Sequence, residues 1–251
     1  MKQLNVGLLG IGTVGGGTYT VLTRNAAEIT RRTGVAINVV QVADKNIDHA
    51  KVLTGGKLDV TNDAFAVVNN PNVDVVVELI GGYTLSKDLV LKAIANGKHV
   101  VTANKALLAL HGNEIFSAAQ KAGVIVAFEA AVAGGIPIIK ALREGLTANR
   151  ISWVAGIING TTNFILTEMR EKGRTFDDVL KEAQVLGYAE ADPTFDVEGI
   201  DAAHKLAILA ALAFGMPLET KRIYTEGITA ITQEDIRYAD ELGHNAYAAF
   251  N

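Results

Sequence analysis

Hydrophobic positions in the first half of the chain alternate between short continuous runs and runs with helical spacing. The segments at 4–9 and 73–80 are apolar almost throughout, which is typical of strands buried on both faces of a parallel sheet. Helical spacing at 14–29 stops at Gly34, and a second helix is predicted at 86–96. The remaining predicted elements of this half are strands at 37–43, 98–102 and 124–128, a helix at 113–121, and a short helix with a glycine turn between 45 and 62. This rhythm predicts an α/β fold with a Rossmann-type, doubly wound parallel sheet.

The pattern changes around Gly134 to Pro137, and we place a domain boundary after residue 137. Beyond it the predicted elements are helices at 137–146, 162–171, 176–186, 201–214 and 232–242, with strands at 151–158 and 223–228. Thr232 and Asp235 have the spacing of a capping box at the start of the last helix. The sequence therefore predicts a dinucleotide-binding domain at 1–137, followed by an α+β substrate-binding and dimerisation domain at 138–251.

Composition narrows the class of protein. Hydrophobic residues make up 49% of the 251 positions and charged residues 20%, which is a globular composition. The net charge is −4 and the basic residues are scattered, so the sequence has no basic cluster of the kind that binds nucleic acid. No apolar stretch is long enough to span a membrane, so we expect a cytoplasmic protein. The absence of cysteine excludes disulfides, thiolate zinc sites and a cysteine nucleophile.

The first candidate site is a glycine loop that follows the first predicted strand. Residues Gly10-Ile-Gly-Thr-Val-Gly15 fit the pattern G-x-G-x-x-G between a strand and a helix, which is the context that a dinucleotide site requires. Gly10 allows the sharp turn, Gly12 lets the backbone approach a pyrophosphate, and Gly15 lets helix and strand pack closely. With Thr13 and Val14 they form the predicted cofactor loop, and the competing interpretation is a glycine-rich structural turn.

The choice between NAD and NADP stays open. Asp44, at the end of the second predicted strand, can accept hydrogen bonds from a ribose and disfavours a 2′-phosphate. It lies farther from the glycines than is usual, and a long first helix would explain this spacing. Lys45 or Lys57 could instead meet a 2′-phosphate, or both could be solvated surface charges.

Lys105 follows the strand predicted at 98–102. Ligands of open parallel sheets bind outside the carboxyl ends of the strands, so Lys105 is predicted to lie beside the substrate or the nicotinamide. Residues 78–83 follow another strand of the same sheet and would form the neighbouring wall. The competing interpretation is a lysine at a helix start that points into water.

The segment 187–205 combines an acidic loop with the start of an apolar helix. Asp201 and Lys205 are four residues apart and share a helix face. The helix N-terminus and the apolar residues favour loss of the lysine proton, whereas the nearby carboxylates favour its retention. Such a lysine suits general acid–base chemistry on a carbonyl and alcohol pair, and the carboxylates suit a substrate ammonium group. The competing interpretation is a solvated acidic loop with a surface ion pair.

Five segments in chain order carry a resemblance to one enzyme family. They are Gly10-Ile-Gly-Thr-Val-Gly15, Gly97-Lys-His-Val-Val-Thr-Ala-Asn-Lys105, Glu129-Ala-Ala-Val-Ala-Gly-Gly-Ile-Pro137, Gly156-Ile-Ile-Asn-Gly-Thr-Thr-Asn163, and Gly187-Tyr-Ala-Glu-Ala-Asp-Pro193 with Asp201-Ala-Ala-His-Lys205. In this order the chain resembles homoserine dehydrogenase up to about Leu242. The resemblance implies NAD(P)-dependent interconversion of L-homoserine and L-aspartate 4-semialdehyde, in the biosynthesis of threonine, methionine and isoleucine.

The resemblance also implies roles for individual residues. Lys205 would donate a proton to the carbonyl oxygen during reduction, and Lys105 would lie beside the cofactor and the substrate. Glu190 and Asp201 would bind the small amino-acid substrate, while Gly187 and Glu190 would lie by the cofactor. Asp196, another carboxylate of the acidic loop, is added as a candidate for the substrate ammonium group.

Two further expectations come from the family alone. The glycine-rich turn after Glu129 resembles a sodium site formed by Glu129, Val132, Gly134 and Ile136, largely through carbonyl oxygens. By its side chains alone this segment is an interdomain turn. A homodimer formed through the sheet of the second domain is also expected. Because family members continue well past Asn251, we expect an incomplete substrate domain, and the competing hypothesis is a cofactor-binding remnant without turnover.

Overall fold

A computed structural model of the chain describes residues 2–244 and the backbone of Ala249–Phe250. The chain divides into two compact units, Met1–Ile139 and Lys140–Asn251. No helix in the described part is long and apolar enough to cross a membrane.

The first unit is built on a parallel sheet of six strands in the order β3-β2-β1-β4-β5-β6. The strands are β1 (Lys2–Leu9), β2 (Val35–Ala43), β3 (Asp59–Thr61), β4 (Val75–Glu78), β5 (His99–Thr102) and β6 (Val126–Ala127). The helices are α1 (Thr13–Arg24), α2 (Ala26–Thr33), α3 (Ile47–Thr54), α4 (Ala64–Asn69), α5 (Thr84–Ala95) and α6 (Lys105–Ala122). The strand order reverses between β1 and β4, which confirms the predicted Rossmann-type fold.

Apolar runs become central strands because both of their faces are covered. Every residue of β4 is buried, and Val75 and Val77 pack with Val6 and Leu8 of β1 in one core cluster. The ends of the three central strands are in register, with Leu9 opposite Glu78 and Glu78 opposite Thr102. The loops that follow these strands therefore emerge along one edge of the sheet.

The prediction of a single long first helix was wrong. The helical spacing of apolar residues continues across a position at which the helix itself is interrupted. Asn25 ends α1 and also begins α2, and Gly34 ends α2 with φ +72°. Two consecutive helices, and not one, therefore separate the glycine loop from β2. The pattern also missed β3 and α4, and α6 begins eight residues earlier than the helix predicted at 113–121.

The second unit is mostly helical. Its elements are α7 (Ile138–Lys140), which starts at the boundary and continues as a π-helical turn (Ala141–Gly145), then β7 (Gly156–Ile157), α8 (Gly160–Lys172), α9 (Phe176–Val185), α10 (Thr194–Val197), α11 (Ile200–Phe214), α12 (Gln233–Glu241) and β8 (Ala249–Phe250). Its core joins Ile165, Leu166 and Met169 of α8 to Val179 of α9 and Ile236 of α12. The capping box predicted at Thr232 and Asp235 is confirmed, with both reciprocal hydrogen bonds present.

The two strands predicted in this unit are corrected by the structure. Of the run 151–158, only Gly156–Ile157 forms a strand, paired antiparallel with β8, and the run 223–228 forms none. Trp153 is 68% exposed and Ile157 50%, so part of the first run packs against no core within this unit. A β-branched run becomes a strand only where a partner strand accepts its backbone hydrogen bonds.

Candidate active site

The glycine loop joins the end of β1 to the start of α1. Gly10 has φ +88°, and a Cβ on it would lie 2.8 Å from the carbonyl oxygen of Leu79. A Cβ on Gly15 would lie 2.0 Å from the carbonyl oxygen of Gly10, so only glycine allows this packing of helix against loop. Around Gly12, the N-cap of α1, a Cβ would meet no atom within 4 Å, while Thr13 and Val14 are exposed. The outer side of the loop is therefore open to a ligand.

A cavity of about 320 Å³ adjoins this loop and is lined by Gly10, Gly12, Asp44 and Lys45, among others. The Asp44 carboxylate accepts hydrogen bonds from the backbone N–H groups of Ile11 and Asn46, each at 2.8 Å. Asp44 therefore braces the glycine loop directly, and its remaining lone pairs can accept a ligand hydroxyl. The structure brings three of the predicted cofactor residues, Gly10, Gly12 and Asp44, to one cavity. Of the two lysines considered for a 2′-phosphate, Lys45 lines this cavity and Lys57 is not among its lining residues.

Lys105 is the first residue of α6, immediately beyond the end of β5. Asn104 caps this helix, because its Oδ1 accepts a hydrogen bond from the N–H of Leu107 at 3.0 Å. Since β1, β4 and β5 end in register, Lys105 and the glycine loop follow strands that end at the same edge of the sheet.

The second unit gathers charged side chains from α10 and α11 around an asparagine at the start of α8. The Lys205 ammonium donates to Asp201 Oδ2 at 2.5 Å and to the carbonyl oxygen of Ile158 at 2.8 Å. The side chain of Asp201 is only 2% exposed and that of Lys205 15%, so this is a largely buried ion pair. Asn159 donates from Nδ2 to both Asp196 Oδ1 (2.7 Å) and Asp201 Oδ2 (2.9 Å). One amide thus holds two carboxylates beside one ammonium group.

Local backbone geometry sets this arrangement. Asn159 is the N-cap of α8, and its Oδ1 accepts hydrogen bonds from the N–H and the hydroxyl of Thr162. Gly199 begins α11 with φ +78°. A Cβ on Gly227 would lie 2.7 Å from the carbonyl oxygen of Val197, so the 225–228 loop packs directly against the turn between α10 and α11. These contacts fix the orientation of Asp196 and Asp201.

Glu190 and Gly187 lie in the exposed segment between α9 and α10. Gly187 has φ +76°, and the Glu190 carbonyl oxygen accepts a hydrogen bond from Gln184 Nε2 at 3.1 Å. The side chain of Glu190 is exposed, and among the described residues no hydrogen bond or ion pair engages its carboxylate. The structure therefore brings Asp196, Asp201 and Lys205 together, whereas Glu190 stands outside that network. An open cavity of about 750 Å³ adjoins the network at Asn159 and Asp196.

The predicted sodium segment lies at the end of the first unit. Glu129 Oε1 accepts a hydrogen bond from the N–H of Ile139 at 2.9 Å, and the Ile136 carbonyl oxygen accepts one from Ile138. Among the described residues, no hydrogen bond engages the carbonyl oxygens of Val132 and Gly134. The described residues contain no group of three acidic or histidine side chains that could hold a metal ion. Any cation here would therefore rely on carbonyl oxygens, which are hard ligands suited to a hard cation.

Each unit matches a family model. Residues 10–129 match the model described as homoserine dehydrogenase, NAD binding domain, and residues 137–248 match the model described as homoserine dehydrogenase. A hyperthermophilic archaeal homoserine dehydrogenase, solved in complex with NADPH, is 30% identical with a TM-score of 0.77, and the match covers 91% of this chain and 75% of that one. The chain belongs to the homoserine dehydrogenase family.

Bacterial members of the homoserine dehydrogenase family are more similar still. The crystal structure of the enzyme from Thiobacillus denitrificans is 69% identical with a TM-score of 0.95, over 98% of this chain and 57% of that chain. The Pseudomonas aeruginosa homoserine dehydrogenase is 68% identical over 97% of this chain and 56% of its own length. The chain thus spans a little over half the length of the curated relatives it matches.

Sequence reasoning missed the residues that hold the candidate catalytic groups in place. Asn159 was visible only as part of a family motif, although Asn-Gly-Thr-Thr ahead of an apolar run is a usable N-cap signal. Glu78 was assigned only to a wall of the site, although a carboxylate that ends a fully apolar strand is unusual. Neither signal indicates which distant side chains these residues contact.

Proposed function

We propose that this chain carries the cofactor domain and the proton-transfer site of an NAD(P)-dependent oxidoreductase that interconverts L-homoserine and L-aspartate 4-semialdehyde. The observation that carries the proposal is the buried Lys205–Asp201 pair, held by Asn159 beside Asp196, in a member of the homoserine dehydrogenase family. In cells this reaction would serve the synthesis of threonine, methionine and isoleucine in the cytoplasm.

Lys205 is the proposed proton donor in the direction of reduction. The Lys205 ammonium donates one N–H to Asp201 and a second to the Ile158 carbonyl oxygen, so the third N–H remains for a substrate oxygen. In the oxidative direction the same group would take the proton from the substrate hydroxyl. The Asp196 carboxylate and the exposed Glu190 carboxylate are the proposed partners of the substrate ammonium group.

The nicotinamide nucleotide, when bound, supplies or accepts the hydride. In this chain the glycine loop would hold its pyrophosphate, since Gly12 leaves the first turn of α1 open. Asp44 would accept a ribose hydroxyl, and Lys45, which lines the same cavity, would meet a 2′-phosphate if NADP is the cofactor. Lys105 would lie by the cofactor and the substrate, and Gly187 and Glu190 are further proposed cofactor-binding residues.

Two structural roles complete the proposal. A sodium ion at 129–136 would be held by the carbonyl oxygens of Val132 and Gly134, with Glu129 and Ile136 completing the site. A homodimer would form through the second unit. Its exposed Trp153 precedes β7, and its exposed Ile157 is the last residue of β7.

The test is an assay of homoserine oxidation with NAD and with NADP, run in parallel with nucleotide binding. Lys205→Ala should lower kcat by about 10²- to 10⁴-fold, which is the usual contribution of a general acid or base, and should leave nucleotide affinity within about twofold. Lys181→Ala removes an exposed lysine on α9 and serves as the matched control. If Lys205→Ala keeps most of its rate, the assignment of the proton donor is wrong. Nucleotide binding by the wild-type chain without turnover would favour the cofactor-binding remnant.

A further inference from the structure

A fully buried carboxylate lies at the sheet edge beside the candidate cofactor site. Glu78 is the last residue of β4 and is 0% exposed. Its Oε1 accepts hydrogen bonds from the N–H of Ile80 and the hydroxyl of Ser86, both at 3.1 Å. Its Oε2 accepts one from the hydroxyl of Thr102 at 2.7 Å. Within the described residues no basic side chain pairs with it, so neutral donors alone compensate this group.

The hydrogen bonds of Glu78 continue to the start of the helix that carries Lys105. The N–H of Asn104 donates to Thr102 Oγ1 at 3.0 Å. Asn104 then caps α6 with Oδ1 and donates from Nδ2 to the carbonyl oxygen of Gly82 at 2.5 Å. The network thus closes on the loop that follows β4, so one carboxylate ties that loop to the first residues of α6.

The loop in question depends on such external contacts for its conformation. Gly81 and Gly82 both have positive φ, +74° and +67°, and residues 79–83 belong to no strand or helix. Within the loop, the N–H of Ile80 donates to Glu78 itself. A buried charge is weak evidence for stability, because an apolar side chain of similar size often serves the core as well. The carboxylate instead links three elements, because it accepts hydrogen bonds from the loop, from α5 and from β5.

The strand order indicates which part of a bound nucleotide this network faces. Asp44 follows β2, the glycine loop follows β1, the 79–83 loop follows β4, and Lys105 lies just beyond β5. With the adenosine ribose at Asp44 and the pyrophosphate at the glycine loop, the rest of the nucleotide extends past β4 and β5. In that arrangement the Glu78 network would lie under the nicotinamide half of the nucleotide and not under the adenosine half.

We propose that Glu78 is a positioning residue, which holds the Gly81–Gly82 loop and the Lys105 end of α6 in the conformation that binds the nicotinamide half of the nucleotide. This inference rests on the proposed function. It assigns no contact between Glu78 and the ligand, because the carboxylate acts through Ser86, Thr102 and Asn104.

Thr102→Val tests the network with almost no change in side-chain volume, because it replaces one hydroxyl by a methyl group. Thr102→Ser keeps the hydroxyl and is the matched control. Glu78→Gln and Ser86→Ala break other links of the network and are further test variants. Ile115→Val removes one methyl group from the buried face of α6, the helix that begins with Lys105, and controls for loss of stability alone.

The measurement is a fluorescence titration of each variant with NADH and NADPH, alongside calorimetric titration with AMP, which probes the adenosine half alone. Thr102→Val and Glu78→Gln should each weaken binding of the reduced nucleotide about tenfold and leave AMP affinity unchanged. Ser86→Ala should also weaken binding of the reduced nucleotide and leave AMP affinity unchanged. Thr102→Ser and Ile115→Val should both behave as the wild type.

The contrary results are distinct. Unchanged affinity for the reduced nucleotide in folded Thr102→Val and Ser86→Ala overturns the inference. An equal loss of affinity for AMP also overturns it, and so does a weaker binding of the reduced nucleotide with unchanged AMP affinity in Ile115→Val. These two network variants decide the matter even if Glu78→Gln does not fold. A wild-type chain that binds neither reduced nucleotide overturns the proposed function itself, and the inference with it.

Discussion

The Asp201–Lys205 pair allows a quantitative test that does not depend on turnover. Asp201→Asn, Lys205→Met and the double variant form a thermodynamic cycle for the free energy of unfolding of the second unit. At 2.5 Å, and with an effective dielectric constant of about 20, the attraction between the two charges is about 7 kcal/mol. Desolvation offsets most of it, and hydrogen bonds to charged groups contribute about 1.5–3 kcal/mol net. We therefore expect a coupling energy of about 2 kcal/mol.

The single variants should differ because the two partners are not equally buried. Lys205→Met leaves the Asp201 carboxylate, 2% exposed, without its cation and should cost about 3 kcal/mol. Asp201→Asn leaves a lysine that is 15% exposed and still donates to the Ile158 carbonyl oxygen, and should cost about 1–2 kcal/mol. The double variant should cost less than the sum, by the coupling energy.

Urea unfolding followed by fluorescence of Trp153 reports on this unit, because Trp153 is the only tryptophan. The control pair is Glu168–Lys172 in α8, which has the same spacing and orientation. Its lysine is 57% exposed, and Glu168, 13% exposed, shares its charge with Arg174 as a second partner. The coupling of this control pair should be about 0.5 kcal/mol and should fall at high salt. If the Asp201–Lys205 coupling is no larger than that of the control, the pair is an ordinary solvated ion pair, and the argument for a proton donor held in place by a buried carboxylate fails.

Two further predictions concern the first unit. Gly15→Ala should force the glycine loop open, because its Cβ would lie 2.0 Å from the Gly10 carbonyl oxygen, and should cost about 1–3 kcal/mol in thermal unfolding. Gly17→Ala, with open space around it in the same helix, should instead stabilise by about 0.5–1 kcal/mol, and equal effects would refute the packing argument. Burial lowers the pKa of Lys98, which donates to the carbonyl oxygens of Asn70 and Val73, and the opposing effect of Asp74 is smaller. Since the unfolded chain then binds the proton more tightly, stability should rise with pH from the lowered folded-state pKa towards the ordinary lysine value, and this rise should be absent in Lys98→Met.

Local patterns predicted well whatever depends on neighbours in sequence. The run at 73–80 indicated a buried strand, since a nearly continuous β-branched apolar run is typical of a strand covered on both faces. The glycine spacing at 10–15 indicated a tight loop, and Asp201 and Lys205 indicated a shared helix face. The strands predicted at 151–158 and 223–228 were mostly wrong, because the same residue types lie in an exposed segment and in a packed loop.

The sequence by itself determined the fold class and the identities of the chemical groups, because periodicity and residue type are local properties. Tertiary structure decided what holds those groups. Asn159 meets Asp196 and Asp201 across 37 and 42 residues, and Glu78 meets Thr102 across 24. No periodicity encodes such pairs, since they form only when strand ends and helix starts converge. The role proposed for Lys205 therefore rests on residue types and spacing in the chain, whereas the network that fixes its geometry required the fold.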